Sequence, residues 1–178
     1  IDVVNDTNDF LVSNIIPDFV SLSDLRFILT SLIREKISIK DITYIFEKIN
    51  DFAQETTKSD LIKKIRLSLS KQICKYYKNT DGVISAFEIS DKTLDKFMPN
   101  FDESDDAIIR IDAGFAETLA EKISKKMVQF NIDNPKLLVP LEFRHLIFTL
   151  LSSYLNNITV LSREEIGCNA QIEIISEI

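Results

Sequence analysis

Apolar residues recur at helical spacing along the first part of the chain, behind two helix start signals. Ser21 with Asp24 and Ser38 with Asp41 both read S-x-x-D. In this capping-box pattern a hydroxyl and a carboxylate satisfy N–H groups of a first helical turn. The stripe behind the first signal is Leu22, Leu25, Ile28, Leu29 and Leu32, and behind the second it is Ile39, Ile42, Ile45, Phe46 and Ile49. The pattern predicts two short helices joined by a charged corner.

The rest of the first half is also predicted to be helical. Residues 3–16 have the pattern of a helix tail, and Thr57 with Asp60 opens a longer helix through about Tyr77. One face of that helix is apolar and consists of Leu61, Ile65, Leu69, Ile73 and Tyr76. The turn cluster at 79–82 is the best boundary, so we predict a helical subdomain over 1–79 and a second subdomain over 80–178.

The periodicity changes after this turn. Apolar and β-branched runs predict strands over 83–89, 107–111, 136–139, 158–161 and 170–175. Helices are predicted over 92–97, over 112–130 with Asp112 as its cap, and after Pro140, which fits a first helical turn. Alternating strands and helices indicate a small α/β subdomain with a mixed sheet. The predicted fold class is therefore α+β, a helical subdomain followed by an α/β subdomain.

Composition narrows the classes of function. The net charge of −7 disfavours binding to nucleic acid or to an anionic membrane surface. No apolar run is long enough to span a bilayer, and because the first residue is not Met we expect a piece of a longer protein. The two cysteines, Cys74 and Cys168, form no C-x-x-C pair and are predicted to be free thiols.

The sequence contains no recognisable reaction centre, so we predict no catalytic, cofactor-binding or metal-binding residues. His145 is the single histidine, and three glycines cannot build a phosphate-binding loop. The acidic run at 102–106 lacks the glycine and glutamate spacing of a calcium loop. Two alternatives stay open: an enzyme with a dispersed site at Cys168 and His145, and a helical adaptor that binds peptides in a groove.

Four phrases of the sequence and one further arginine carry a resemblance to a known family. Val20-Ser21-Leu22, Leu32-Ile33-Arg34-Glu35 and Ser38-Ile39-Lys40-Asp41 resemble the "VLSL … LLREGVSIRDL" run of the type III secretion and flagellar export-gate proteins. Val160-Leu161-Ser162 with Glu165-Ile166 is similar to that family's closing "VLS-x-x-EI". Arg144 falls where the family usually has an arginine after a proline-led helix start.

The resemblance implies where the protein is located in the cell and what its function is. It identifies the chain as the third and fourth subdomains of the cytoplasmic region of a bacterial inner-membrane protein. In this family that region forms a homo-nonameric ring and is not enzymatic. It receives chaperone–substrate complexes and gatekeeper proteins, mainly through the two subdomains that this sequence lacks. It also docks the stalk protein of an associated ATPase complex.

The resemblance also selects candidate residues. Because helical subdomains meet in the ring, the charged positions Arg34, Glu35, Lys40 and Asp41 are candidates for the ring interface. Lys36 stands where the flagellar branch usually has Gly or Ala, which favours the virulence-type secretion branch. No cofactor is expected.

Overall fold

The computed structural model describes residues 20–53, 58–97 and 113–178. The chain divides into two compact units, 1–73 and 74–178, with the division inside a helix rather than at the predicted turn. Several predicted features lie outside the described residues: the helix tail at 3–16, the cap Thr57, the acidic run at 102–106, the strand at 107–111 and the cap Asp112.

Four helices begin within residues 20–53 and 58–77, the part of the first half that the structure describes. They are α1 (Leu22–Arg34), α2 (Ile42–Phe52), α3 (Lys58–Ser68) and α4 (Ser70–Tyr77). The capping box of α1 is confirmed, since the Asp24 N–H donates to Ser21 Oγ at 3.1 Å and the Ser21 N–H donates to Asp24 Oδ2 at 3.3 Å. The apolar stripe behind it supplies the buried residues Leu25, Ile28 and Leu32.

The second capping box is wrong, because Asp41 is itself the N-cap. Its carboxylate accepts the Tyr44 N–H at 3.2 Å, and α2 begins at Ile42. Ser38 Oγ instead accepts the Lys40 N–H at 3.3 Å within the turn. Serine and aspartate are similarly good N-cap residues, so the local pattern alone could not decide between Ser38 and Asp41.

The long helix predicted through Tyr77 is two helices with a break at Leu69. The Leu69 N–H is shared between the carbonyls of Ile65 and Arg66, and the Ser68 carbonyl accepts the Tyr44 hydroxyl at 3.3 Å. A tertiary contact therefore occupies a carbonyl that a continuous helix would use. The predicted apolar face is otherwise confirmed, except that Tyr76 is exposed.

The second unit is built on one four-stranded sheet. Its strands are β1 (Val83–Glu88), β2 (Lys136–Leu138), β3 (Thr159–Leu161) and β4 (Gln171–Glu177), in the order β3-β2-β1-β4. Every pairing among these described strands is parallel, so the prediction of a mixed sheet is wrong for them. Each connection between consecutive strands includes a helix, and such crossovers return the chain in the same direction.

Helices pack on this sheet and complete its core. They are α5 (Asp91–Phe97), α6 (Ala113–Phe130), α7 (Arg144–Leu151) and α8 (Arg163–Ile166), and a 3-10 turn over Leu141–Phe143 follows Pro140. Helical spacing predicts one apolar stripe on α6, made of Phe115, Leu119, Ile123 and Met127. Leu119 and Ile123 are buried, and Phe115 and Met127 are partly buried against the same core. Spacing after Pro140 predicts a buried face made of Phe143, Leu146, Ile147, Leu150, Leu151 and Tyr154. It is confirmed for Phe143, Leu146, Ile147 and Leu151, whereas Leu150 is partly buried and Tyr154 is exposed. The α+β class is thus confirmed.

The lysine that follows the C-cap of α1 has an unfavourable backbone conformation. Lys36 has φ +59°, and the N–H groups of Lys36 and Ile37 donate to the Ile33 and Leu32 carbonyls. This is a Schellman motif, whose left-handed position is normally glycine. Any residue with a Cβ is strained there.

We expect Lys36→Gly to stabilise the first unit by about 0.5–1 kcal/mol, because relief of left-handed strain exceeds the added chain entropy. Urea denaturation would measure the change. Lys40→Gly is the matched control, since Lys40 is also exposed but has no positive φ, and it should lower stability slightly. Equal effects of the two glycines would contradict this account.

Candidate functional site

The four predicted interface residues lie at the corner between α1 and α2, and they differ in their exposure to solvent. Arg34, Lys40 and Asp41 are exposed, whereas Glu35 is buried. Arg34 ends α1, and Asp41 begins α2 as its cap. Three of the four candidates are therefore on the surface where a neighbouring molecule could meet them.

Glu35 turns inward to an arginine distant in sequence. Its Oε2 lies 2.8 Å from Arg66 Nη1, with side-chain exposures of 4% and 2%. A carboxylate so deeply buried needs its partner, because an uncompensated charge in the interior is costly. Glu35 therefore acts inside the first unit, and its candidacy as an interface residue is not supported by this geometry.

Sequence reasoning missed Arg66, although one signal was present. Arg66 lies four residues after Ile62 and three before Leu69, both of which are buried. It therefore falls on the apolar face of its helix, where an arginine requires an acidic partner. The partner itself, thirty-one positions away, could not be deduced from local pattern.

The second unit contains a corresponding pair. Arg144 Nε lies 3.1 Å from Glu165 Oε1, with side-chain exposures of 1% and 0%. Glu165 is also the reciprocal member of the capping box of α8, because the Ser162 N–H donates to its Oε2 at 3.2 Å. The Glu165 carboxylate thus completes the N-terminal cap of α8 and also compensates the charge of a buried arginine. These are residues of the phrases that carry the family resemblance.

A cleft of about 580 Å³ opens at the carboxyl edge of the sheet. Its lining includes Glu88 at the end of β1, Leu138 at the end of β2, Glu177 at the end of β4 and Arg163, which follows β3. Clefts at this edge of parallel sheets are common ligand sites. The remaining lining residues are Ile89, Ser90, Asp91, Lys92, Leu94, Val139, Pro140 and Glu164.

The charges of this cleft are mostly acidic. Arg163 donates to Glu88 Oε1 from both Nε, at 3.0 Å, and Nη2, at 2.6 Å. Asp91, Glu164 and Glu177 are exposed. Because Arg163 and Lys92 offset only two of the four carboxylates that line it, the cleft has a surplus of negative charge.

Neither residue of the dispersed enzyme hypothesis lines this cleft. His145 is half-buried on α7, and Cys168 is exposed in the turn before β4. Neither cysteine is in a disulfide bond, and Cys74 is buried. Across residues 20–53, 58–97 and 113–178, no group of three or more His, Cys, Asp or Glu side chains is arranged to hold a metal ion.

The chain is thus a helical unit followed by a unit built on a parallel sheet, with an acidic cleft at the carboxyl edge of that sheet. The family model for the FHIPEP family matches residues 1–171, and the chain belongs to that family. No helix in the described part of the chain has the length and hydropathy needed to cross a membrane.

Curated relatives include flagellar and virulence-associated proteins. The flagellar biosynthesis protein FlhA of Bacillus subtilis is 24% identical over 177 residues, which are 97% of this chain and 26% of that protein. The low calcium response locus protein D of Yersinia pestis is 25% identical over 158 residues, 86% of this chain and 22% of that protein. The chain thus spans about a quarter of the length of these relatives.

Solved structures share the fold over nearly the whole chain. The Shigella flexneri MxiA protein matches with a TM-score of 0.85 at 23% identity, over 99% of this chain and 56% of that one. Nonameric EPEC SctV-C matches with a TM-score of 0.83 at 19% identity, over 99% of this chain and 54% of that one. The Chlamydia pneumoniae CdsV and CdsO protein complex matches with a TM-score of 0.79 at 21% identity, over 98% of this chain and 51% of that one.

We expect Glu35→Leu to destabilise the first unit by about 3–5 kcal/mol, because Arg66 is left with an uncompensated buried charge. The double variant Glu35→Leu/Arg66→Met should regain most of this loss, since it removes both charges. Urea denaturation followed by circular dichroism would measure the free energy of unfolding.

Asp51→Asn is the surface control for this experiment. It breaks the ion pair between Lys48 and Asp51, in which the nitrogen and oxygen lie 2.6 Å apart and the hydrogen bond raises the pKa of the lysine. An exposed pair of this kind contributes at most about 1 kcal/mol. A Glu35→Leu effect no larger than that of the control would show that the buried pair is not essential.

Proposed function

We propose that this chain is a non-enzymatic part of a bacterial type III protein export gate, within its cytoplasmic ring-forming region. Membership of the FHIPEP family and the fold shared with nonameric SctV-C support this proposal. The observation that carries it is the exposed corner, where Arg34, Lys40 and Asp41 are available to a neighbouring copy.

In this proposal the first unit makes contacts between copies, and the assembled ring helps to receive and select secretion substrates. The parent protein is anchored in the inner membrane, and this portion faces the cytoplasm. Chaperone–substrate complexes and the gatekeeper protein bind mainly to subdomains outside this sequence. The solved complex of CdsV with CdsO supports a further role for the fold in binding a second protein.

Charge reversal at the corner tests the ring contact. We expect Arg34→Glu to weaken self-association about fivefold while the chain stays folded, because one exposed charge contributes about 1 kcal/mol. Asp41→Asn should weaken it similarly while keeping an N-cap side chain for α2. Sedimentation velocity over a wide concentration range would measure both.

Lys71→Glu on α4 is the matched control, since it changes the charge of an exposed residue by the same amount. Its association should equal that of the unaltered chain. If Arg34→Glu and Asp41→Asn also associate normally, these residues do not belong to the interface.

We further propose that the acidic cleft of the second unit docks the stalk protein of the ATPase complex through basic residues of that protein. Glu164→Arg and Glu177→Arg should each weaken stalk binding about fivefold, and added salt should weaken the unaltered complex, because the carboxylates are exposed. Isothermal titration calorimetry would measure the affinities. Glu117→Arg, on the exposed side of α6, is the control, and an equal loss there would contradict a role specific to the cleft.

A peptide-binding adaptor is the second candidate. It is favoured by one observation, the exposure of large apolar side chains on α1. Such a module would bind its peptide as a monomer, whereas the ring proposal requires that these side chains meet another copy.

A further inference from the structure

The two edges of the sheet in the second unit differ in length and in protection. The strand β3 spans three residues at one edge, and β4 spans seven residues at the other. Natural edge strands are usually kept short or carry lysine or proline, because their unpaired backbone groups recruit other chains. The sequence of β4 is QIEIISE, which has neither lysine nor proline. Its register with β1 shifts after Ile174 and skips Ile175, so the regular part of this edge is residues 171–174.

The outer side of this regular part presents backbone groups to solvent. The Gln171 N–H donates to the Gly82 carbonyl, which precedes β1. Because the backbone groups of successive residues point to opposite sides of a strand, those of Ile172 and Ile174 point away from β1. Within the ranges that the structure describes, no strand pairs with β4 on that side. The edge is therefore able to accept an additional strand.

The side chains of the same stretch are exposed on both faces of the sheet. Glu173 accepts a hydrogen bond from the hydroxyl of Ser85, its register partner on β1. Ser85 lies two residues before Phe87, whose ring centroid is 6.1 Å from that of Phe130 on α6, so Glu173 is on the face that α6 covers. Ile174 points to the opposite face and is 36% exposed. A strand added here would cover both side chains.

The charge of this edge is negative. Glu173 and Glu177 are exposed, and β4 contains no basic residue. Lys126 reaches the strand from α6, where its Nζ lies 2.8 Å from Ser176 Oγ and offsets one of the two carboxylates. A basic side chain on an added strand would therefore meet complementary charge, whereas an acidic one directly opposite Glu173 would be repelled.

We propose that the edge of β4 over residues 171–174 binds an extended segment of another protein as an additional strand, and that this segment alternates basic and apolar residues. Main-chain hydrogen bonds to Ile172 and Ile174 supply most of the affinity, and the side chains supply the specificity. A lysine or arginine lies opposite Glu173 and an apolar residue opposite Ile174, because successive side chains of the added strand point to opposite faces. This binding is independent of the proposed contact between copies and of the acidic cleft.

Hydrogen exchange at the outward backbone groups tests the added strand. In the free chain the N–H groups of Ile172 and Ile174 should exchange rapidly with solvent, whereas that of Glu173, which points toward β1, should be protected. An excess of a short peptide of alternating lysine and valine should slow exchange at Ile172 and Ile174 at least about tenfold, because both become hydrogen-bonded. The same peptide with every backbone nitrogen methylated keeps its charge but cannot donate, and it should leave both rates unchanged. Two-dimensional NMR would measure the rates.

Two variants separate backbone pairing from charge, with peptide affinity measured by fluorescence anisotropy. Ile174→Pro removes an outward N–H at a position where an edge strand tolerates proline, and it should weaken binding at least about tenfold. Glu173→Lys should weaken binding about fivefold and favour a peptide of alternating glutamate and valine instead. Glu117→Lys, on the exposed side of α6, reverses the same charge away from the edge and should bind like the unaltered chain. Thermal melts would show that each variant is folded, and if Ile174→Pro is not, Glu173→Lys and the exchange rates decide.

Any other occupant of the edge gives a different result. Slow exchange at Ile172 and Ile174 in the free, dilute chain would mean that the chain itself covers the edge, and the proposal would be overturned. Protection that appears only as the concentration of the free chain rises would assign the edge to a second copy, with the same consequence. Peptide binding that leaves both N–H groups fast and is lost in Glu164→Arg would place the peptide in the acidic cleft and also overturn the proposal. None of these results bears on the corner contact that Arg34→Glu tests.

Discussion

The buried ion pair between Glu35 and Arg66 constrains the whole first unit. Two charges withdrawn from water are tolerated only while they stay together, so the end of α1 must remain against α3. That requirement fixes the position of the residues on either side of Glu35. Arg34 is thereby held on the surface, and Lys36 is held in a left-handed conformation that its own chemistry disfavours.

The second unit depends on the same kind of buried ion pair. These two pairs show the structural role of the phrases that resemble the export-gate family. Arg144 and Glu165 are both fully buried, and Glu165 also completes the capping box of a short helix. Glu35 and Glu165 belong to phrases that carry the resemblance to the export-gate family. Their part in the structure is internal, so the similarity of these phrases reports a shared fold and leaves the binding surfaces to the residues around them.

Local chemistry made much of the fold predictable, and distant contacts account for the errors. The cap of α1, the extents of the strands and the apolar face of α6 depend on neighbouring residues, and each could be read from spacing. The break at Leu69 depends on the Tyr44 hydroxyl, and the burial of Glu35 depends on Arg66. Strand direction likewise depends on crossovers rather than on the strands' own sequence. Charge and the family resemblance together suggested four interface candidates, of which tertiary structure left three on the surface.

What remains on the surface limits how these units could associate. Exposed charges such as Arg34 and Asp41 each contribute about 1 kcal/mol or less, which is insufficient to hold two copies together. The exposed apolar side chains of α1, Leu22, Phe27 and Ile33, could supply the missing affinity, because burial removes each of them from water. A contact of a few such anchors is still weak between free molecules. Anchoring many copies in one membrane would raise their effective concentration, so a modest interface repeated around a ring would suffice for assembly and still permit its rearrangement.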